Sequence, residues 1–285
     1  MTKTKTRFLT VGLAVIVLLA AALFVIPSLG TTADAAWDGT TIAGTFAGGK
    51  GTQDDPYQIA NGEQLAYLAQ QVNNDALSDG EYFVLTDDID LGGKEWMPIG
   101  SDDYDFWGIF NGNGYTISNL KPTVYNGYTG LFGSNSGTIR NVDLDGVDVV
   151  YTEGYGAAAL CAKNGTWGTI EGCAVLGGRI DASSTDASGV AAGICAVNSG
   201  KINKCYNMAA VTTNTIGAGI VYANGSDGTV SNCYNAGEVS GTSTYRGTIG
   251  GICSENYGKI EYCLNYGDVK KCKDRRQYLR FKLLW

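Results

Sequence analysis

The chain has 285 residues, 41 of them glycine, with 17% charged and 44% hydrophobic side chains and no histidine. Its net charge of −8 is unevenly spread: residues 36–269 hold 10 basic and 26 acidic side chains, whereas residues 270–285 hold seven basic ones against Asp274 alone. The missing histidine excludes Ser-His and Cys-His nucleophiles and His-ligated zinc, and the acidic body disfavours nucleic acid and anionic lipid, whose binding is mainly electrostatic.

Lys3, Lys5 and Arg7 precede an apolar run from Phe8 to Pro27, and Ala33-Asp34-Ala35 offers a small-x-small site. Residues 1–35 therefore read as a secretory signal peptide. The competing reading is an uncleaved anchor, because about 20 apolar residues can span a bilayer. No cysteine follows the run, which disfavours a lipoprotein anchor. The expectation is a secreted or cell-surface chain, with no membrane partner after signal cleavage.

Residues 36–105 are expected to hold a Gly/Thr-rich leader, one helix and the first strands. Asn61 is placed to cap that helix and Gln64 to complete a capping box, and Leu65, Leu68, Ala69 and Val72 share one face. Strand-like runs follow at residues 82–85, 89–91 and 96–100.

From residue 106 to residue 269 the chain repeats itself. Gly130-Leu131-Phe132, Ala159-Leu160-Cys161, Gly193-Ile194-Cys195, Gly219-Ile220-Val221 and Gly251-Ile252-Cys253 open successive units. Each unit runs through an Asn and a Gly to an aliphatic residue: Ile139, Ile170, Ile202, Val230 and Ile260, at steps of 31, 32, 28 and 30. Ile117 precedes them by 22 and is expected to head the same inward stack. Such units cannot bury a face alone, but stacked about 4.8 Å apart they can. The expected fold is all-β, a right-handed parallel β-helix (solenoid) with an N-terminal capping helix. Asn207, Asn235 and Asn265 would bond along its axis.

The repeats resemble the GLUG motif of bacterial secreted and surface proteins, which include adhesin-like proteins and non-catalytic regions of some immunoglobulin A proteases. The tetrad stands whole once, as Gly130-Leu131-Phe132-Gly133. The lead-in is similar too: Gly51-Thr52, Asp55-Pro56-Tyr57, Asp88-Ile89-Asp90-Leu91, Trp96 with Pro98-Ile99-Gly100, and residues 110–120. The resemblance spans residues 49 to about 269. It implies a non-enzymatic surface or adhesin-like protein whose partner is a surface glycan or protein. The protease activity does not carry over, because a His-Glu-x-x-His zinc motif needs histidine.

Carboxylates are the only catalytic material, in three clusters: Asp87, Asp88 and Asp90; Asp102, Asp103 and Asp105; Asp143, Asp145 and Asp148. A calcium pair or an acid/base pair is geometrically open to Asp88 and Asp90 on one strand face, and a β-helix polysaccharide lyase or hydrolase is the alternative function. Each cluster is confined to one coil, so turn-capping acids are the favoured reading, with no catalytic residue, metal or cofactor assigned. Tyr206, Tyr234, Tyr257, Tyr262 and Tyr266 could offer rings to sugars or a protein, or stack on one another.

Eight cysteines allow 105 pairings. Cys173, Cys205, Cys233 and Cys263 each follow the aliphatic anchor by three residues, and Cys161, Cys195 and Cys253 share the other apolar patch, where Val221 replaces a Cys. Two buried ladders of free thiols are expected rather than bridges across a coil. Residues 270–285 break the pattern and are expected to belong to no coil, as in a fragment of a longer repeat protein. A structural stalk is the remaining functional alternative.

Overall fold

The computed structural model describes residues 35–77, 79–152, 154, 156–183, 189–242 and 247–271. Residues 1–34 of the expected signal peptide, Cys272 and the remainder of the basic tail lie outside the described residues.

One coil shows how the sequence folds. Strands Phe132–Asn135, Thr138–Arg140, Asp143–Asp145, Val147–Val150 and Gly156–Ala158 follow one another, and each pairs in parallel with its counterpart one coil on. Stacking makes five long parallel sheets, beside a two-stranded one of Glu95–Trp96 and Lys121–Pro122. We number them from the strand Thr138–Arg140: sheet 1 has eight strands, sheet 2 (Asp143–Asp145) seven, and sheets 3 (Val147–Val150), 4 (Gly156–Ala158) and 5 (Phe132–Asn135) five each among the described residues. The chain is thus a parallel β-solenoid, in which the other four sides of each coil supply the long crossover that parallel pairing requires.

Sheet 1 carries the expected inward column. Ile139, Ile170, Ile202, Val230 and Ile260 lie in register and are fully buried up to Val230. Ile117 is a correction: it pairs with Ile89 and Leu144 in sheet 2, and the residue that precedes Ile139 in the sheet 1 column is Phe110, itself stacked on Phe83. Gly114-Tyr115-Thr116-Ile117 mimics Gly137-Thr138-Ile139, but strand Ile109–Asn111 already occupies sheet 1. The turn through Asn113 and Gly114, both at positive φ, then delivers Ile117 one face further on.

The corner between sheets 1 and 2 has one conformation in every repeat. Asn141, Gly172, Lys204, Asn232 and Tyr262 all sit there with φ between 51° and 63°, the left-handed region that glycine and asparagine tolerate best. Two asparagine ladders hold the turns from inside. Asn135, Asn164, Asn198, Asn224 and Asn256 form one, each Nδ2 donating to the next Oδ1 over 2.8 Å. Asn207, Asn235 and Asn265 form the second, at 2.9 and 2.8 Å, as the sequence predicts. Glycine opposite this second ladder is obligatory: a Cβ at Gly193, Gly219 or Gly251 would lie 2.4, 2.2 and 2.2 Å from the Cγ of Asn207, Asn235 and Asn265.

The helix α1, Gly62–Asn73, lies over the first coil. Asn61 Oδ1 accepts from Gln64 N at 3.1 Å, and Gln64 Oε1 reaches back to Ala60 N at 2.8 Å, a variant of the expected capping box. Leu65, Leu68, Ala69 and Val72 are buried in the core with Ile59, Leu85 and Leu91. Buried Asn73 pins the far end, donating to Pro98 O at 3.0 Å and accepting from Gly100 N at 2.8 Å. At the other end, strand Val269–Lys271 pairs with Val239–Gly241, so the last described coil extends over Lys270 and Lys271, two residues into the basic segment.

Candidate interaction surface

Sheet 2 turns alternate side chains away from the core. Register aligns Thr116, Asp143, Ala174, Tyr206, Tyr234 and Leu264 in one outer column. The Tyr206 and Tyr234 rings lie 5.8 Å apart at 32°, and Tyr266, just after the last strand, meets Tyr234 edge-on at 5.7 Å. The stacking reading of these rings is therefore the observed one, and the row still presents apolar surface: Leu264, Met208, Tyr262 and Tyr266 are 41%, 49%, 77% and 66% exposed. Burial, then the charge of Asp143, raises the Tyr206 phenol, which stays protonated and able to donate at neutral pH. Tyr257, which the sequence grouped with this row, stands beyond sheet 5 instead, exposed and beside Tyr222.

The three acidic clusters do not converge. Asp87 and Asp88 accept from the Asp88 and Thr116 amides, both at 2.8 Å, and Asp90 accepts from Gly92 N at 2.7 Å and Asn119 Nδ2 at 2.8 Å. Asp102 takes Tyr128 Oη at 2.6 Å and pairs with Lys163. Asp105 takes Ser136 Oγ at 2.6 Å, Asp145 the amide of Gly146 at 2.8 Å, and Asp148 the Arg179 guanidinium at 2.7 Å. Burial raises the Asp143 carboxyl. Most of these acids cap turns or pair across coils, and among the described residues no group of three or more His, Cys, Asp or Glu is arranged to hold a metal ion.

Two concavities flank α1. A cleft of about 170 Å³ brings Asp103 and Asp105 together with Asp75 and Asp79, beside Tyr104 and Trp107. A larger groove of about 550 Å³ runs between the leader and α1, floored by Trp37 and Trp96 and rimmed by Ile42, Met97 and Tyr125. Sequence reasoning missed both. Alternation in Trp96-Met97-Pro98, where Trp96 and Pro98 point inward and Met97 outward, was the available signal for the second.

Both cysteine columns are present as free thiols. Cys161, Cys195, Val221 and Cys253 are in register, and Cys173, Cys205, Cys233 and Cys263 stack at the corner of sheets 1 and 2. Burial pushes the Cys161 and Cys205 thiols well above the ordinary range, which makes them packing groups rather than nucleophiles.

No family model matches this chain. It is 37% identical over 146 residues, 48% of its length, to a protein of Evansella cellulosilytica provisionally described as a Gly-rich membrane protein. It is 36% identical over 168 residues, 53% of its length, to the halomucin of Haloquadratum walsbyi. The matches span 16% and 2% of those relatives, so the chain corresponds to a small part of each. Among solved structures, a crystal structure provisionally described as an immunoglobulin A1 protease from Bacteroides ovatus superposes with a TM-score of 0.60 at 25% identity, over 79% of this chain and 80% of that one. No helix among the described residues is long and apolar enough to cross a membrane. The chain is a parallel β-solenoid repeat protein, similar to parts of a Gly-rich membrane protein and of halomucin.

Proposed function

We propose that this chain is a non-enzymatic, extracellular, adhesin-like surface protein of the GLUG-motif kind that its repeats resemble. Its solenoid serves as a rigid stem, and the tyrosine row of sheet 2 binds a glycan or a protein on a host or bacterial surface. One observation carries this reading: Tyr206, Tyr234 and Tyr266 form a continuous row of ring contacts on an outer face that also exposes Met208 and Leu264. Rings fixed by a sheet lose little freedom on binding and present apolar faces with a hydroxyl at the edge, a combination suited to sugars and to interface anchors. Similarity to a Gly-rich membrane protein and to halomucin supports a surface setting. The test is a glycan-array and cell-surface binding assay on the wild-type chain and on Tyr234→Ala with Tyr266→Ala. Binding lost in the double variant, with the melting temperature nearly kept, supports the reading; unchanged binding overturns the site.

The acidic cleft favours a second reading, a polysaccharide lyase or hydrolase using carboxylates. Asp75, Asp79, Asp103 and Asp105 come from two separate segments and meet beside Tyr104 and Trp107, and Asp105 Oδ1 is buried with no hydrogen-bond partner among the described residues. Depolymerisation of acidic or neutral polysaccharides, abolished by Asp105→Asn, would establish it in place of the first. Neither binding nor turnover would leave the structural stalk.

A further inference from the structure

The two thiol columns differ in continuity. In sheet 5, Val221 stands between Cys195 and Cys253, so among the described residues Cys253 has no thiol next to it in its column. At the corner of sheets 1 and 2, Cys173, Cys205, Cys233 and Cys263 occupy four consecutive coils. Each sulfur lies 3.7 to 4.0 Å from a carbonyl one coil back, and Cys233 and Cys263 fall in register between the strand pairs Ser231–Glu261 and Tyr234–Leu264.

We propose that Cys233 and Cys263 are a disulfide-forming pair, which oxidation converts into a covalent staple between the last two described coils. Adjacent parallel strands set in-register Cα atoms about 4.8 Å apart, inside the roughly 4.4 to 6.8 Å that a disulfide spans. Disulfide Cβ atoms sit closer, about 3.8 Å apart, so one coil has to shift by about 1 Å. Packing resists this most around buried side chains, and Cys263 is partly exposed whereas Cys173 and Cys205 are buried. Looser packing and access for an oxidant thus coincide at the pair that includes Cys263.

The oxidant is a small-molecule disulfide such as oxidised glutathione. The Cys263 thiolate, its proton lost to solvent, attacks one oxidant sulfur and expels the other half as a thiolate. Deprotonated Cys233 then attacks Cys263 Sγ, breaks the mixed disulfide and releases the second half. Two cysteine thiols are oxidised and one small disulfide is reduced to two thiols. The neighbouring thiol one coil back, Cys205 for Cys233 and Cys233 for Cys263, acts with burial to hold both above the ordinary cysteine value, so the staple forms faster as pH rises.

The test uses the full reduced chain carrying Cys272→Ser, treated with oxidised glutathione at mildly alkaline pH, alkylated, digested without reduction and mapped by mass spectrometry. The expected result is a linked peptide pair containing Cys233 and Cys263, with Cys253 carrying glutathione or the alkylating label. The melting temperature should rise by roughly 5 °C or more, the scale of closing a loop of this length, and fall again with reductant. In Cys233→Val, which repeats the replacement that Val221 already makes in the other column, Cys263 should become glutathionylated without any link. Alkylation of both thiols after oxidation, or a link joining a different pair, would overturn the proposal.

Discussion

Asn164 and Asn198 are 34 residues apart, yet the Nδ2 of one donates to the Oδ1 of the other over 2.8 Å in a fully buried position. The second hydrogen of each amide goes to a carbonyl of its own turn, Gly168 O and Gly200 O, at 3.2 Å. Each interior amide therefore has both donors satisfied, and removing one leaves a donor above and an acceptor below without partners. Asn198→Ala should destabilise the fold by about 2 to 4 kcal/mol, since each orphaned buried group costs about 1 to 3 kcal/mol. Asn256→Ala, at the exposed end of the same ladder, should cost under about 1 kcal/mol. Denaturant unfolding of the two variants checks the contrast; equal losses would show that the ladder is not cooperative.

Leu65 is the clearest test of the cap. It is fully buried under the first coil, and Leu65→Asp would place an unpaired carboxylate there, enough to lift α1 off and expose the sheet edge beneath it. The expected outcome is soluble aggregation seen by light scattering. A monomer with unchanged melting would show that α1 caps nothing.

Tyr262 holds a left-handed corner with φ 55° where other coils use Asn, Gly or Lys. A non-glycine residue there costs about 1 to 2 kcal/mol, partly offset by the entropy glycine loses on folding. Tyr262→Asn and Tyr262→Gly should each stabilise by about 0.5 to 1 kcal/mol, measured as a small rise in melting temperature. A fall would mean that the exposed ring contributes packing that outweighs the corner.

Alkaline pH should loosen the core through its thiols. Cys253 is pushed up to about 11, chiefly by burial, from an ordinary value of 9.0, and Cys161, Cys205 and Cys233 are raised as well. The folded state thus keeps protons that the unfolded chain releases, so stability holds below about pH 9 and falls as pH climbs toward 11 and beyond. Unfolding free energy followed across this range should show that decline, with a shallower slope in Cys205→Ala; a flat profile would mean the thiols ionise freely in the fold.

Asp143 behaves in the same sense at the acid end. Burial raises its carboxyl, so its ionised form is disfavoured in the fold and stability falls as pH rises through the folded value. Asp143→Asn should melt higher than wild type at neutral pH and lose that advantage at a pH low enough to protonate Asp143 in both the folded and the unfolded chain. An advantage independent of pH would point to packing rather than charge.

The period, the stack of Ile139, Ile170, Ile202, Val230 and Ile260, both thiol ladders and the axial bonds of Asn207, Asn235 and Asn265 were determined by the sequence alone. Stacked coils repeat one environment, so equivalent positions demand equivalent residues and the demand is visible as recurrence. The helix was legible for a related reason, since Asn61, Gln64 and the Leu65 stripe are local signals. Tertiary structure decided what recurrence cannot encode. Ile117 carries the same local motif as Ile139 but lies one sheet away, because only the pairing of strand Ile109–Asn111 reveals that sheet 1 is already filled. The tyrosine row needed register to separate Tyr206 and Tyr234 from Tyr257, and the cleft that gathers Asp75, Asp79, Asp103 and Asp105 joins residues from non-repeating segments, where nothing in the chain marks them as neighbours. Sites built between unlike segments are set by how the leader and α1 pack on the first coils, and that packing leaves no period to read.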